Sequence, residues 1–285
     1  SIDNMIPSIF QYDFMVRALI GGILAGGLAP ILGAFLVLRR FSLIAETLAH
    51  VGLLGLAVGL AVNLFPTLTT FVAVTAAAIL IERLRATGKL PGDVALAVVL
   101  YATMAAAVVI INAARGFNVD LWGFLFGSIL TLTPLDLWLL GILTVVVIFT
   151  ILAFYSELAM ATFDEDLAKV SGVRVDWLNL GLAVLTAATV TLSIRILGVL
   201  LVGALIVIPF LIGQTLSSGL RRSMLIASLF GIMSTVIGLF LSFYLHSSAG
   251  GSIVLSAVGL LLLAQIWKKL RRRHVEKGDQ YEGQI

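Results

Sequence analysis

The stretch Ser42–Gly59, SLIAETLAHVGLLGLAVG, decides how the chain is read. It is apolar enough to cross a bilayer, yet it carries Glu46 and His50. On a helix, residues four apart share a face one turn from each other, so this carboxylate and imidazole stand together. A charge placed in hydrocarbon costs about 2.5–3.5 kcal/mol on insertion scales, and such residues face a bundle interior or a watery path. Two readings follow: a polar pair that only glues helices together, or a pair with metal-ligand chemistry. The second accounts better for an acid beside an imidazole.

Outward from this stretch the chain keeps the same character. Of its 285 residues 60% are apolar and 12% charged, with a mean hydropathy of +1.14. A soluble domain is about half apolar and a quarter charged. Several apolar runs reach the ~18 residues needed to cross ~30 Å of hydrocarbon. The chain reads as an all-α polytopic membrane protein, one membrane domain over residues 1–285, because no stretch is polar and long enough to form a soluble one. It has no cysteine, which excludes disulfides and thiolate metal sites. The first fourteen residues lack a basic region followed by an apolar core, so no cleavable signal peptide is expected.

About nine spans are predicted. Met15–Leu38 ends at Arg39-Arg40, carries Gly22 and Gly26 at small-xxx-small spacing, and holds Pro30, which predicts a kink. Ser42–Val62 and Thr67–Ile81 follow, then a charged loop from Glu82 to Lys89, with Asp93 as a helix cap before Val94–Ile111. The ten apolar residues LWGFLFGSIL, Leu121–Leu130, are too few to cross. They predict a short external helix, interfacial or re-entrant, with Trp122 and Phe124 at headgroup level. Leu135–Tyr155 is the fifth span. The 38 residues Trp177–Gln214 divide at Arg195 into Trp177–Ile194 and Leu197–Gln214, the latter kinked at Pro209. Met224–Leu245 and Ser252–Trp267 complete the set, and residues 268–285 form a basic tail.

With the intervening loops placed alternately, 15 of the 18 basic residues gather on one side, leaving Arg17, Arg115 and Arg195 on the other. The positive-inside rule makes the richer side cytoplasmic, with the N-terminus outside and the C-terminal tail inside. This distribution suits orientation in a membrane, not nucleic-acid binding. Gly88-Lys89 is followed by leucine, so there is no phosphate loop, and Glu46 and His50 stand in the order E-x-x-x-H, so there is no H-E-x-x-H site. The chain is not read as an enzyme. His246, in a turn beside serines, and His274, in the tail, read as solvated.

Four segments resemble the permease subunits of ATP-driven zinc and manganese importers of the ATP-binding-cassette class. They are LVLRRFSLIAETLAHVGLLGLAVGL (Leu36–Leu60), FDEDLAKVSGV (Phe163–Val173), GVLLVGALIVIP (Gly198–Pro209) and AGGSIVLSA (Ala249–Ala257). The resemblance covers essentially the whole chain. It implies a homodimer around a central path in the plasma or inner membrane, with two separate ATPase subunits beneath it. An extracytoplasmic metal-binding protein would deliver the ion, and the transported divalent metal is the only ligand implied.

The same resemblance assigns metal binding to Glu46 and His50. It assigns ATPase coupling to Asp164, Glu165, Ala168 and Gly172 on a short cytoplasmic helix. One departure stands out, because Glu46 occupies a position where the family commonly has aspartate. Glutamate keeps the charge and reaches one methylene further. The wording TLAHV is closer to the zinc members, which favours zinc over manganese, with iron(II) third. A self-sufficient secondary transporter or channel is the competing reading, and it has no need of the Phe163–Val173 segment. An intramembrane hydrolase is disfavoured, since two ligands and no nucleophile motif make a thin active site.

Overall fold

The structure is a computed structural model that describes residues 12–86, 92–113, 121–128 and 132–282. The amino-terminal residues 1–11, the cap expected at Asp93, the polar turn at 115–118, the Trp122 side chain and the tail side chains beyond Arg271 lie outside the described residues. Among those described, all regular structure is helical: α1 (Asp13–Leu38), α2 (Ile44–Ala61), α3 (Pro66–Ala86), α4 (Gly92–Ala113), α5 (Leu121–Phe126), α6 (Pro134–Ala153), α7 (Tyr155–Phe163), α8 (Glu165–Val170), α9 (Val175–Leu197), α10 (Val202–Leu216), α11 (Leu220–Leu245) and α12 (Ala249–Glu282).

Eight of these helices, α1 to α4, α6, α9, α11 and α12, are long and apolar enough to cross a membrane. The remaining expected span, α10, has 15 residues. At 1.5 Å per residue that is about 22 Å, short of a full hydrocarbon core. Two further boundaries differ from the sequence reading. The polar segment after α6 contributes a helix of its own, α7, and the tail expected after Trp267 continues α12 to Glu282.

The division expected at Arg195 falls at Gly198 instead, and Arg195 belongs to the last turn of α9. Gly198 has φ +81°, and a Cβ there would strike the Leu125 carbonyl and the Gly127 nitrogen, so only glycine fits. The break leaves peptide groups unpaired inside a buried region, where each needs a partner. The segment around α5 supplies them. The amides of Val199 and Leu200 donate to the carbonyls of Phe124 (3.1 Å) and Leu125 (3.2 Å), and Ser128 N–H donates to the Arg195 carbonyl (3.2 Å). The apolar run 121–130 therefore begins as a short, non-spanning helix docked on a broken one. Gly198→Ala is expected to destabilise the chain by roughly 1–3 kcal/mol, read as a lower thermal midpoint in detergent. Gly141→Ala, whose Cβ would meet nothing within 4 Å, should leave the midpoint unchanged.

Lipid tails are as apolar as leucine, so helices in a membrane associate through close packing of small residues. The α1–α11 pair uses Gly22 and Gly26 for this, as their spacing predicts: a Cβ on either would come within 2.5 Å of the Thr235 side chain. Glycines on α2 do the same against α3, where a Cβ on Gly55 would stand 2.8 Å from the Thr70 Cα. α1 runs through Pro30 without interruption of its helical assignment. It ends in a left-handed residue, Arg40 (φ +62°), with Arg40 N–H donating to Val37 (3.0 Å) and Phe41 N–H to Leu36 (2.8 Å). That paired pattern closes a helix end, and it lets α2 begin at Ile44 after five residues.

Candidate functional site

Because α2 begins at Ile44, Glu46 lies in its first turn and His50 one turn further, an axial rise of about 6 Å. The carboxylate is therefore near one end of the helix, less deep than the apolar run suggests. Gly203, in the first turn of α10, packs on the Glu46 backbone, with a Cβ position 3.4 Å from Glu46 Cβ. The N-terminal ends of α2 and α10 thus both stand beside Glu46, each carrying partial positive charge. Glu46 is half-buried, whereas His50 is only 5% exposed and its Nδ1 takes no hydrogen bond from the described residues.

Beyond Glu46, the partly or fully exposed residues of α2 are Leu54, Val58, Leu60 and Ala61. At 100° per residue all four fall on the half of the helix that carries Glu46 and His50. Glu46 thus lies on the side of α2 that its own chain covers least, while His50, one turn on, is enclosed by the chain itself. Among the described residues, no group of three or more histidine, aspartate or glutamate side chains converges to hold a metal ion.

The second set of expected residues gathers at the other feature of interest, the corner formed by α7, α8 and α9. The Asp164 carboxylate accepts from Leu167 N–H (2.9 Å) and caps α8. At its far end Gly172 takes φ +86°, with Gly172 N–H donating to Lys169 (3.1 Å) and Val173 N–H to Ala168 (3.0 Å). This left-handed residue closes the helix, the role glycine fills best. Ala168 is fully buried against Ala161, Val175 and Val173, so its smallness serves the chain's own packing. Outward-facing positions are Phe163, Leu167 and Val170, the last 87% exposed. Glu165 pairs with Arg85 of α3 (3.0 Å) and with Lys169 (3.1 Å). Its partial burial opposes the charged form, and the Arg85 and Lys169 hydrogen bonds outweigh it, holding the carboxyl below its usual range.

The same corner is braced from α1. Arg39 donates through Nε to Thr162 Oγ1 (3.0 Å) and through Nη1 to Asn179 Oδ1, joining α1 to α7 and α9. Burial, with the Arg85 charge nearby, lowers the Arg39 guanidinium to about 10. It stays protonated at neutral pH.

Comparison with known proteins bears on both regions. The ABC 3 transport family matches residues 11–268 of this chain. The chain belongs to that family. Among its relatives is a manganese transport system membrane protein, MntC, of Listeria monocytogenes, 29% identical over 91% of this chain and 92% of its own length. A high-affinity zinc uptake system membrane protein, ZnuB, of Haemophilus influenzae is 28% identical over 89% of this chain and 97% of its own. A chain in the structure of PsaBC from Streptococcus pneumoniae in complex with Fab superposes with a TM-score of 0.81 at 27% identity, covering 95% of this chain and 100% of that one. The four segments that carry the resemblance in the sequence all lie within the matched residues, and the ABC 3 chain is a multi-pass membrane protein.

One cluster of this ABC 3 chain was not anticipated. Arg195 donates to Asp136 Oδ2 (2.7 Å) and to Thr67 Oγ1 (2.6 Å), tying α9 to the first turns of α6 and α3. Asp136 also accepts from the Thr133 amide (2.9 Å) and hydroxyl (2.7 Å) as part of a capping box. The spacing T-x-x-D before an apolar run is the local signal that finds it. Its pairing with Arg195 leaves no such local trace.

Proposed function

We propose that the chain is the membrane permease of an ATP-driven importer of divalent metal ions, with zinc as the favoured cargo and manganese next. The observation that carries the reading is the Glu46–His50 pair on one face of the spanning helix α2, its carboxylate half-buried on that helix's least covered side. Lipid is a poor neighbour for a carboxylate, so that side faces a water path or a second copy of the chain. Two ligands are too few for a closed tetrahedral site. A homodimer would supply the same pair twice across a two-fold axis, and water can fill the remainder. An oxygen–nitrogen set of this kind accepts zinc, manganese or iron(II), and geometry selects among them more than affinity does. An open, wet site also releases its ion, which transport requires. Relatives named for manganese and for zinc support the metal class alike, and the TLAHV wording inclines the choice to zinc. Competition between the two ions for uptake into vesicles holding the assembled complex tests that choice: zinc should win at equal concentration, and preferential manganese uptake reverses it.

In this assembly two ATPase subunits dock on α8 and a metal-binding protein delivers the ion from outside. The basic residues of Arg39, Arg85 and Lys169 lie at the docking end, and Arg17 and Arg195 at the opposite end. The N-terminus is then outside and the C-terminus inside. Single cysteines at Ser8, Ser171 and Gln280, introduced into a chain that has none, report this by labelling with an impermeant maleimide. Position 8 should label from outside and positions 171 and 280 only after permeabilisation. Labelling of 8 and 280 from the same face contradicts an odd number of crossings.

A further inference from the structure

Glu165 and Arg85 are 80 residues apart in sequence, and their 3.0 Å contact is a direct ion pair from α8 to the membrane helices. The Arg85 guanidinium is fully engaged. Nη1 reaches Glu165, while Nε and Nη2 grip both oxygens of Glu82 at 2.7–3.2 Å. The Arg85 and Glu82 side chains are only 19% and 15% exposed. The guanidinium carbon also stands 5.6 Å over the Phe41 ring.

Phe41 is where the α1–α2 turn closes, and its carbonyl accepts from Ile44 N–H (3.1 Å) at the start of α2. Arg39, Phe41, Ile44, Glu82, Arg85 and Asn179 line one small cavity of about 20 Å³. Glu46 follows two residues after Ile44. A continuous contact path therefore runs from the docking helix, through one guanidinium, to the first turn of the helix that carries the Glu46–His50 pair.

We infer that Arg85 is a positioning residue that transmits displacement of α8 to the start of α2, so that movement of a docked ATPase reaches the metal pair. The inference rests on the reading of α8 as the ATPase-docking helix. A planar fork holding two carboxylates at once moves them together, which a lone surface ion pair does not do. A partly buried ion pair is weak evidence for net stability once its desolvation is counted, so its placement between docking surface and transport helix is the more informative property. Losing it should loosen α8 from α2 while leaving each helix in place.

The test uses the permease–ATPase complex in proteoliposomes, with metal uptake and ATP hydrolysis measured on the same preparation. Arg85→Gln should stay folded and keep the bound ATPase but lower metal moved per ATP hydrolysed by about two- to thirtyfold, the range of coupling energies along such paths. Glu165→Gln should lower the same ratio, and the double variant should be no worse than the more affected single one, because either change removes the same link. Arg85→Lys keeps the charge without the fork and should fall in between. A wild-type ratio for Arg85→Gln overturns the inference, as does additive loss in the double variant. Loss of the ATPase from Arg85→Gln also overturns it, since the residue would then only shape the docking surface. Val170→Asp separates the underlying reading: if that variant retains its ATPase, docking on α8 fails and the transmission falls with it.

Discussion

Glu46→Gln and His50→Ala are each expected to cut metal uptake by about 100-fold or more while the complex stays folded and keeps its ATPase. Changes to groups that merely orient metal ligands already cost roughly 10–100-fold in affinity or activity, and these variants remove the proposed ligands themselves. Glutamine matches glutamate in shape, so little packing is lost at a half-buried position. His50→Ala leaves a void at a buried site, whose cost the thermal midpoint registers separately from uptake. A pair that only joined helices would behave in the opposite way, lowering thermal stability without a selective loss of uptake. Uptake of zinc and manganese, scored beside the thermal midpoint of each variant, separates the two. Wild-type uptake by a stable His50→Ala complex contradicts the assignment.

The second large effect is expected on the exposed side of α8. Val170→Asp and Leu167→Asp should remove ATPase binding, since at the proposed docking surface an aspartate would be left buried and unpaired. Central interface residues are worth about 2–4 kcal/mol each, or roughly 30- to 1000-fold in affinity. Val170 is 87% exposed and Leu167 56% exposed in the chain alone, so neither change should disturb folding. Ala168→Arg behaves differently. Ala168 is wholly enclosed by Ala161, Val173 and Val175, and an arginine there overpacks the corner by at least ~1–3 kcal/mol. Loss of the ATPase in that variant would follow from a damaged corner. Co-purification of the ATPase with each variant, compared with the thermal midpoint, distinguishes a lost surface from a lost fold. Normal recovery of the ATPase with Val170→Asp contradicts docking at α8.

What the sequence made legible was whatever is local. The spans of α1, α2, α4 and α11 follow from apolar length, and the Glu46–His50 stacking follows from a four-residue spacing on α2. The ending of α8 at Gly172 follows from glycine's tolerance of positive φ, and the α1–α11 seam from Gly22 and Gly26. What stayed hidden depends on partners distant in the chain. Arg195 looked like a break because a lone arginine in an apolar run has no visible reason to be helical. Asp136, 59 residues earlier, is that reason. With the charge paired inside α9, the break moves to Gly198, where the α5 segment supplies the missing backbone partners. Ala168 shows the same limit on a smaller scale, since its smallness is evident in the sequence and the surface it packs against is not. α7 left no clear signal, because its nine residues are too few to show a helical period.

The most direct test of the account is uptake of radiolabelled zinc and manganese by proteoliposomes that hold the chain together with its ATPase. Uptake is expected only when ATP is present on the ATPase side, at a rate that falls with Glu46→Gln and that no imposed proton or sodium gradient can replace. Metal uptake by the chain alone, driven by such a gradient without ATP, would contradict it and identify a self-sufficient transporter.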